Sequence, residues 1–336
     1  MELELYPFEL QLKDTFTISH GSRTSQPTLI VALSDGGYTG YGEAAATSYY
    51  GVTTEGMSRD IMQVKDLLNE NIHKTPEEIW EITRPFLKHN SFAQCALDMA
   101  VHDLYGQKQK LPLYKLWGLE LKDLPLTNYT IGIDTIENMV RKMKEFPWPL
   151  YKIKLGTSED VEIIKELRKH TNAVFRVDAN AVWTAEQTLQ NAILMKDLNV
   201  EFIEQPLAVN DKEGMEKVYK ESVLPVIADE SCIKESDVEE CAKYFHGINV
   251  KLTKCGGITP ARRMIEKAKA LGLKVMVGCM TESTVGISAI AHLLPLLDYV
   301  DMDGSLLLKN DIADGVKIFN EKVHFTDRNG IGAQLK

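Results

Sequence analysis

The sequence has 336 residues, enough for two domains or for one large barrel with additional parts. Hydrophobic residues make up 44% and charged residues 26% of the chain, which is typical of globular proteins and excludes collagen, coiled coil and disorder. The net charge of −10 would repel a phosphate backbone. We therefore expect no nucleic-acid partner and favour a small-molecule one.

The five cysteines are scattered along the chain and include no CxxC pair: Cys95, Cys232, Cys241, Cys255 and Cys279. They predict neither a disulfide framework nor a cysteine zinc site. The first ten residues lack the basic and apolar regions of a secretory signal peptide, and no apolar run approaches the length of a membrane span. We therefore expect a cytoplasmic protein without a membrane partner.

The first third of the chain predicts an antiparallel β unit followed by helices. Residues 2–12 and 28–42 have the period-two pattern of strands, with Asp35-Gly36-Gly37 as a turn. Helical periodicity follows in residues 54–72, 77–87 and 91–109, and Thr75-Pro76 is a good cap and first-turn pair. This order predicts an α+β domain.

From residue 126 onward, short apolar runs alternate with amphipathic helical stretches. There are eight such runs: 126–130, 150–155, 174–178, 200–204, 226–229, 248–251, 274–277 and 299–301. From Lys154 on, their polar ends follow one another at intervals of 22 to 26 residues. This βα repeat predicts a (β/α)8-type barrel with its chemistry at the carboxyl ends of the strands. An open doubly wound sheet is the alternative, disfavoured because no glycine-rich phosphate motif follows a strand.

Three acids, Asp178, Glu204 and Asp229, end successive predicted strands. In a barrel their carboxylates would meet at one rim, where like charges repel unless a cation lies between them. Three oxygen ligands without His or Cys suit Mg²⁺ better than Zn²⁺. The competing interpretation is that each acid caps the helix that follows it.

Two lysines flank these acids, Lys154 on the second predicted barrel strand and Lys251 on the sixth. These strands face each other across a ring of eight, so a substrate held between them would meet an amine on each side. A nearby cation can lower the pKa of such an amine toward the range of a working base. We expect Lys152 to point into the helix layer or solvent, or to orient Lys154. For Lys251 and the competing Lys254, the alternative is a position on the surface.

Several motifs in this order resemble the enolase superfamily, muconate-lactonizing subgroup. They are Lys152-Ile153-Lys154, Asp178-Ala179-Asn180, Glu204-Gln205-Pro206, Ala228-Asp229-Glu230-Ser231, and Asn249-Val250-Lys251 followed by Gly256-Gly257. The match extends over nearly the whole chain and includes the helical segment 93–118.

The resemblance implies an α/β fold, a TIM-like (β/α)7β barrel of residues 126–305 under an α+β capping domain of residues 1–125, to which residues 306–336 return. It also implies one Mg²⁺ per subunit on Asp178, Glu204 and Asp229. Lys154 and Lys251 would be the acid/base pair of a reaction through an enediolate. Asn180, Gln205 and Glu230 are expected to orient these ligands or lysines.

Asp301-Met302-Asp303, at the eighth predicted strand, resembles the Asp-x-Asp of the dipeptide epimerases, where two carboxylates hold the α-ammonium group of the dipeptide. The charges favour the same interpretation, because an acidic pair at the rim needs a cation and a free amino terminus supplies one. The alternative is that both acids bond to loop amides before Gly304.

Further residues are expected to contact the substrate from the lid and the rim. Arg23 is placed in the loop between the first two strands, where an arginine of relatives that act on Ala-Glu binds the glutamate side chain; a solvated charge is the alternative. Tyr50 belongs to a second lid loop that would favour an apolar side chain. The remaining expected contacts are Thr130, Lys152, Cys279 and Met280.

Together these features predict a Mg²⁺-dependent dipeptide epimerase that inverts the α-carbon of the carboxy-terminal residue of Ala-Glu, Ala-Ala or an Ala-hydrophobic dipeptide, and that forms a homo-oligomer. The nearest alternative is another enzyme of the subgroup: a cycloisomerase, an o-succinylbenzoate synthase or an N-acylamino-acid racemase. A metal-free Schiff-base aldolase and a non-catalytic peptide binder on the same fold are the others.

Overall fold

The structure is a computed structural model that describes residues 1–19 and 21–336. The chain begins with an antiparallel sheet in the order β1-β2-β3, formed by β1 (Glu2–Ile18), β2 (Gly21–Asp35) and β3 (Tyr38–Ala45). The predicted turn joins β2 to β3, and Gly36 and Gly37 supply its positive φ angles of 61° and 82°. The first strand continues six residues beyond its predicted end at residue 12, and this extension brings the β1–β2 hairpin over the barrel.

Helices of the capping domain follow the sheet: α1 (Thr54–Met62), α2 (Lys65–Asn71), α3 (Pro76–Leu87), α4 (Ser91–Gln109) and α5 (Leu113–Leu116). The single helix expected over residues 54–72 is two helices, and the break keeps Ile61, Val64 and Leu68 all buried in one core. The predicted cap of α3 is confirmed. Thr75 Oγ1 accepts from the Glu78 N–H, and Glu78 accepts from the Thr75 N–H at 2.9 Å.

The remaining large sheet is parallel. Within the described residues it has eight strands in chain order: β4 (Tyr129–Ile131), β5 (Leu150–Lys154), β6 (Val174–Asp178), β7 (Val200–Glu204), β8 (Val226–Ala228), β9 (Gly247–Lys251), β10 (Lys274–Gly278) and β11 (Tyr299–Asp301). A parallel bridge between Thr127 and Val300 joins its first and last strands. The sheet is therefore a nearly closed barrel, and the open doubly wound alternative is wrong. Its first strand begins later than predicted, at Tyr129 instead of residue 126.

Helices outside the barrel connect its successive strands. They are α6 (Ile136–Glu145), α7 (Asp160–Arg168), α8 (Ala185–Lys196), α9 (Lys212–Glu221), α10 (Val238–Cys241), α11 (Leu252–Cys255), α12 (Ile258–Ala270) and α13 (Thr284–Ala291). After β11 the chain makes a short 3₁₀ turn at Gly304–Leu307 instead of a long helix. Seven strand–helix steps and a final strand match the predicted TIM-like barrel.

The segment after the barrel contains only short strands: β12 (Ala313–Asp314), β13 (Lys317–Phe319), β14 (Lys322–His324) and β15 (Gln334–Leu335). It contacts the capping domain directly. The N–H of Lys309 donates to the Gln11 carbonyl at 2.8 Å, and the N–H of Ile331 donates to the Asp103 carboxylate at 2.8 Å. On these contacts we propose the domain division 1–125, 126–305 and 306–336.

Over the part of the chain that the structure describes, none of the helices is both long enough and apolar enough to cross a membrane.

The capping domain depends on a close backbone contact between β3 and α4. A Cβ atom added at Gly42 would lie 1.9 Å from the carbonyl oxygen of Ala96 and 2.6 Å from the nitrogen of Ala100. Backbone atoms of a buried helix cannot move aside for a single methyl group. Only glycine fits at this position.

We expect Gly42→Ala to lower the free energy of unfolding by at least about 2 kcal/mol, because α4 must move away from β3. Urea unfolding followed by circular dichroism measures this. Gly56→Ala is the control: its nearest neighbour would be the Thr53 hydroxyl at 3.2 Å, so stability should stay within about 1 kcal/mol of wild type. Equal stabilities of the two variants would contradict the close contact.

Candidate active site

The three predicted acids meet at the carboxyl-terminal rim of the barrel. Asp178 and Glu204 are the last residues of β6 and β7, and Asp229 directly follows β8. All three are buried, and one carboxylate oxygen from each lies within 4.8 Å of the others. Adjacent parallel strands end at the same level, so the sequence positions alone bring the three side chains together.

The two predicted lysines reach this acid cluster from opposite sides. Lys154 ends β5, and its Nζ lies 2.6 Å from Asp178 Oδ2. Lys251 ends β9, and its Nζ lies 2.6 Å from Asp229 Oδ2. In the nearly closed ring β5 and β9 are four strands apart, so they face each other across the barrel.

The expected direction of Lys152 is wrong. Residues i and i+2 of a strand point to the same side, so Lys152 and Lys154 both enter the barrel. The Lys152 side chain is 2% exposed, and its Nζ lies 2.7 Å from Glu204 Oε2, 2.8 Å from Asp301 Oδ2 and 3.2 Å from Asp178 Oδ2. It connects the acid cluster to Asp301, the last residue of the eighth barrel strand.

Lys254 is also buried, so the alternative of a position on the surface is wrong for this lysine. Its Nζ lies 2.6 Å from Asp229 Oδ1 and also donates to the Asp229 backbone carbonyl. Asp229 is thus held by two ammonium groups, one on each carboxylate oxygen. The spacing indicated this position, since Lys254 follows Lys251 by one turn of the helix that begins there, but charged residues are usually exposed.

The electrostatics of the cluster are those of carboxylates that share a limited positive charge. Burial opposes ionisation of Asp229, but Lys251 and Lys254 outweigh it and lower the pKa of Asp229. Burial and the charge of Asp178 raise the pKa of Glu204 to about 7. Burial opposes the charged form of Lys251, yet Asp229 and other acids raise its pKa above the ordinary value. Glu204 is therefore the carboxylate least compensated by the protein itself.

The donor set fits a hard divalent cation. Three buried carboxylates converge with no histidine or cysteine among them, and the raised pKa of Glu204 indicates that further positive charge is needed there.

Asp301 and Asp303 form a second buried acidic pair beside the first. Asp301 accepts from Asn128 Nδ2 at 2.8 Å and from Lys152 Nζ at 2.8 Å. Asp303 accepts from the Thr130 N–H. Burial and the neighbouring charge of Asp301 raise the pKa of Asp303 to about 8. Thr130 belongs to β4, Lys152 belongs to β5 and Asn128 directly precedes β4, so these partners are not loop amides before Gly304.

Residues expected to orient the site surround the three acids. Gln205 Oε1 accepts from the Asp229 N–H at 3.0 Å, and Asn180 Nδ2 donates to Glu230 Oε1 at 3.3 Å. Among the described residues, Asn180 Oδ1 and Glu230 Oε2 are buried without a hydrogen-bond partner. Asn249, which sequence analysis did not assign, donates to Glu204 Oε1 at 2.8 Å. Asn249 lies two residues before Lys251 and therefore on the same face of β9, so the period-two pattern could have predicted its position.

A pocket opens above the acids, between the barrel rim and the capping domain. Every predicted lid and rim contact lines it: Arg23, Tyr50, Thr130, Lys152, Cys279 and Met280. Phe16, Ile18, Thr47 and Leu307 line it too and were missed. Phe16 and Ile18 belong to the part of β1 beyond the predicted end of that strand.

Arg23 lies within β2, not in the loop where it was expected, because the β1–β2 pairing continues to the end of the hairpin and places Arg23 opposite Phe16. Its Nη2 donates to the Thr281 hydroxyl at 2.9 Å, and its guanidinium carbon lies 5.5 Å from the centre of the Phe16 ring. Burial lowers the pKa of Arg23. Within residues 1–19 and 21–336, its buried Nε has no hydrogen-bond partner.

Glu43, at the end of β3, fixes the rim segment that contains Met280. Its carboxylate accepts from the N–H and the hydroxyl of Ser283 at 3.0 and 2.6 Å and from the Gly286 N–H at 2.9 Å. It therefore caps α13 from the capping domain. Nothing in the sequence pattern distinguishes Glu43 from an ordinary strand residue.

None of the five cysteines, all within the described part of the chain, forms a disulfide. This agrees with the prediction from their spacing.

Comparison with known proteins supplies the family. The N-terminal domain model of the mandelate racemase / muconate lactonizing enzyme family matches residues 3–118, and the "Enolase C-terminal domain-like" model matches residues 134–336. An L-Ala-D/L-amino acid epimerase of Flavobacterium johnsoniae is 56% identical over 335 residues, covering 100% of both chains.

Two solved structures share the fold over nearly their whole length. The dipeptide epimerase of Cytophaga hutchinsonii, complexed with Mg and the dipeptide D-Ala-L-Val, matches with a TM-score of 0.93 and 28% identity, covering 99% of this chain and 95% of that one. The N-succinyl Arg/Lys racemase of Bacillus cereus matches with a TM-score of 0.91, 28% identity and the same coverage. With both domain models matched in order, the chain belongs to the mandelate racemase / muconate lactonizing enzyme family of the enolase superfamily.

Proposed function

We propose that this protein is a Mg²⁺-dependent dipeptide epimerase that inverts the α-carbon of the carboxy-terminal residue of a dipeptide. The observation that carries the proposal is the placement of Lys154 and Lys251 on opposite sides of one acid cluster, with Asp301 and Asp303 at its edge. The similarity to the Flavobacterium epimerase supports it.

Asp178, Glu204 and Asp229 would hold the cation, as oxygen donors that match the preference of Mg²⁺. The Cytophaga relative with Mg supports this choice of metal. When bound, Mg²⁺ would supply positive charge toward the substrate carboxylate, which lowers the cost of removing the α-proton.

Lys154 and Lys251 would move the proton. One lysine, neutral, takes the α-proton as the C–H bond breaks, and the other, as an ammonium group, delivers a proton to the opposite face of the same carbon. The two roles exchange in the reverse direction. Inversion requires a proton acceptor on one face and a proton donor on the other, and the facing positions of β5 and β9 support this assignment of the two lysines.

Asp301 and Asp303 would bind the α-ammonium group of the dipeptide. In the free protein Asp303 has a pKa of about 8 because it is buried beside Asp301. A substrate ammonium group would favour loss of that proton, and the pair would then present two charges to it.

Arg23 would contact the side chain of the carboxy-terminal residue. It is largely buried in the pocket, and its Nε is unpaired within the described part of the chain, so an acidic side chain would satisfy it. Phe16, Tyr50 and Met280 form an apolar wall beside it, which would suit Ala or a hydrophobic residue instead.

A screen of L-Ala-X dipeptides distinguishes a preference for an acidic side chain from a preference for an apolar one. Preference for acidic X supports the role of Arg23, and preference for apolar X contradicts it.

The remaining residues would act as contacts and supports. Lys152, Thr130 and Cys279 would complete the substrate pocket. Asn180, Gln205 and Glu230 would orient the acids, to which they connect directly or through one neighbour. We also propose a homo-oligomer in the cytoplasm, supported by five free thiols and the acidic chain.

Replacing either lysine should abolish epimerisation while leaving proton exchange on one face. In heavy water, wild-type protein with Mg²⁺ should introduce deuterium at the α-carbon of the carboxy-terminal residue from both epimers. Lys154→Ala and Lys251→Ala should each lower the epimerisation rate by at least about 1000-fold, and each should exchange the proton of one epimer only. Proton NMR measures both quantities.

The control for these variants is Lys165→Ala, which removes an exposed lysine of α7 and should keep wild-type rates. Epimerisation that survives in either Lys154→Ala or Lys251→Ala would reject the two-base mechanism.

Mg²⁺ should stabilise the protein more at pH 8 than at pH 6. Glu204 has a pKa of about 7, raised above its unfolded value, so without the cation its contribution to folding stability is lost as the pH rises through 7. Below that pH a proton competes with the cation for the same oxygens. Thermal unfolding at each pH, with Mg²⁺ and with a chelator, measures the stabilisation by Mg²⁺. This stabilisation is about 2.7 kcal/mol when the Mg²⁺ concentration is 100 times the dissociation constant.

Glu204→Gln should lose most of this Mg²⁺-dependent stabilisation at pH 8, and Glu213→Gln, an exposed residue of α9, should retain it. An unchanged effect of Mg²⁺ in Glu204→Gln would show that the cation binds elsewhere.

A second candidate is an N-acylamino-acid racemase, favoured by the similarity to the Bacillus cereus racemase. Asp301→Asn separates the two functions, because an N-acyl group carries no ammonium. We expect kcat/KM for dipeptides to fall by about 10- to 100-fold without any loss toward N-acyl amino acids. The control is Asp298→Asn, which changes the acid directly before the first residue of β11, at the opposite end of that strand from Asp301. Unchanged dipeptide turnover in Asp301→Asn would favour the racemase.

A further inference from the structure

Lys254 is the one described lysine near the acid cluster that does not line the pocket. It belongs to the one-turn helix α11, is 2% exposed, and directs its ammonium group to Asp229 Oδ1 and to the Asp229 backbone carbonyl. A buried ammonium group is costly unless it is paired and hydrogen-bonded, and both of these partners belong to the same residue. The direct contacts of the Lys254 ammonium group are therefore with Asp229, and we expect its main effect on bound substrate to pass through that residue.

The capping domain fixes the segment that carries Lys254. Trp80 Nε1 of α3 donates to the Gly256 carbonyl at 2.9 Å. Asp98 of α4 accepts from the N–H and the hydroxyl of Thr259 at 2.9 and 2.8 Å. Gly257 has a φ of 122°, and a Cβ atom there would lie 2.3 Å from Asp98 Oδ2. The chain that directly follows α11 is thus held from outside the barrel by α3 and α4.

Asp229 has an ammonium group on each of its carboxylate oxygens, unlike Asp178 across the cluster. Lys251 and Lys254 each bind a different oxygen of its carboxylate, and Gln205 accepts from its N–H. At Asp178, by contrast, Lys154 and Lys152 lie on the same oxygen, at 2.6 and 3.2 Å, and the other oxygen accepts from the Asn180 N–H at 2.9 Å. Removing Lys254 would free one carboxylate oxygen of Asp229 and would leave its backbone carbonyl with the Cys232 N–H alone, at 3.1 Å, while leaving Asp178 untouched.

We propose that Lys254 is a positioning residue that fixes the Asp229 carboxylate both for the divalent cation and for Lys251. This inference rests on the proposed function. Because Asp229 pairs with Lys251 and Asp178 pairs with Lys154, loosening Asp229 disturbs one face of the substrate more than the other. The expected signature is a face-selective defect together with weaker metal binding.

The experiment compares Lys254→Met, which removes the charge at similar size, with Lys254→Arg, which retains it. Electron paramagnetic resonance with Mn²⁺ measures metal affinity in the absence of dipeptide. Deuterium exchange from each epimer measures the two faces separately, and the epimer that still exchanges in Lys154→Ala identifies the face of Lys251. Lys243→Met, which removes an exposed lysine paired with Glu240, is the control for loss of one charge.

We expect Lys254→Met to weaken Mn²⁺ binding by about 10- to 100-fold and to slow exchange on the Lys251 face more than on the Lys154 face. Lys254→Arg should recover most of both. A folded Lys254→Met variant with wild-type Mn²⁺ affinity, or with equal losses on both faces, would overturn the proposal, the second result indicating a purely structural role.

If Lys254→Met does not fold, Lys254→Gln is used for the same measurements of Mn²⁺ affinity and deuterium exchange, and the same results support or overturn the proposal. If wild-type protein binds Mn²⁺ but exchanges no dipeptide proton, the proposed function fails, and the Mn²⁺ comparison alone still decides whether Lys254 positions Asp229.

Discussion

The site depends on burying carboxylates and ammonium groups together. Among the described residues, Asp178, Glu204, Asp229 and Asp301 face four lysines, and burial beside Asp301 raises the pKa of Asp303 to about 8. These lysines are Lys152, Lys154, Lys251 and Lys254. A bound cation would favour loss of a proton from the ammonium groups around it, and a proton lost from a lysine leaves the neutral amine that a base requires.

The barrel alone does not hold this arrangement. Glu43 caps α13 from the end of β3, Arg23 reaches Thr281 from the β1–β2 hairpin, and Asp98 anchors the start of α12 from α4. Each contact joins the capping domain to a loop that follows a barrel strand. The capping domain therefore covers the pocket and also sets the positions of rim segments, so substitutions far from the acids can alter the site.

The expected site differs from the observed one through two kinds of error. Lys152 was assigned the wrong direction although period-two geometry already places it beside Lys154. Asn249, two residues before Lys251, could have been found by the same rule. Glu43 is different, because its partner Ser283 is 240 residues away and no local pattern marks it. The first kind of error lies in how the pattern was used, and the second lies beyond any local pattern.

The sequence by itself determined the strand–helix repeat, the three acids at strand ends and the lysines on facing strands, because parallel strands of regular spacing end at one rim. Only the tertiary structure decided that Lys254 is buried on Asp229, that Arg23 lies within a strand against Thr281, and that Phe16 and Ile18 enter the pocket. The Lys254 contact lies within the barrel and joins residues 25 positions apart. Arg23, Phe16 and Ile18 reach the pocket where the capping domain meets the barrel, and the packing of the two domains selects their distant partners.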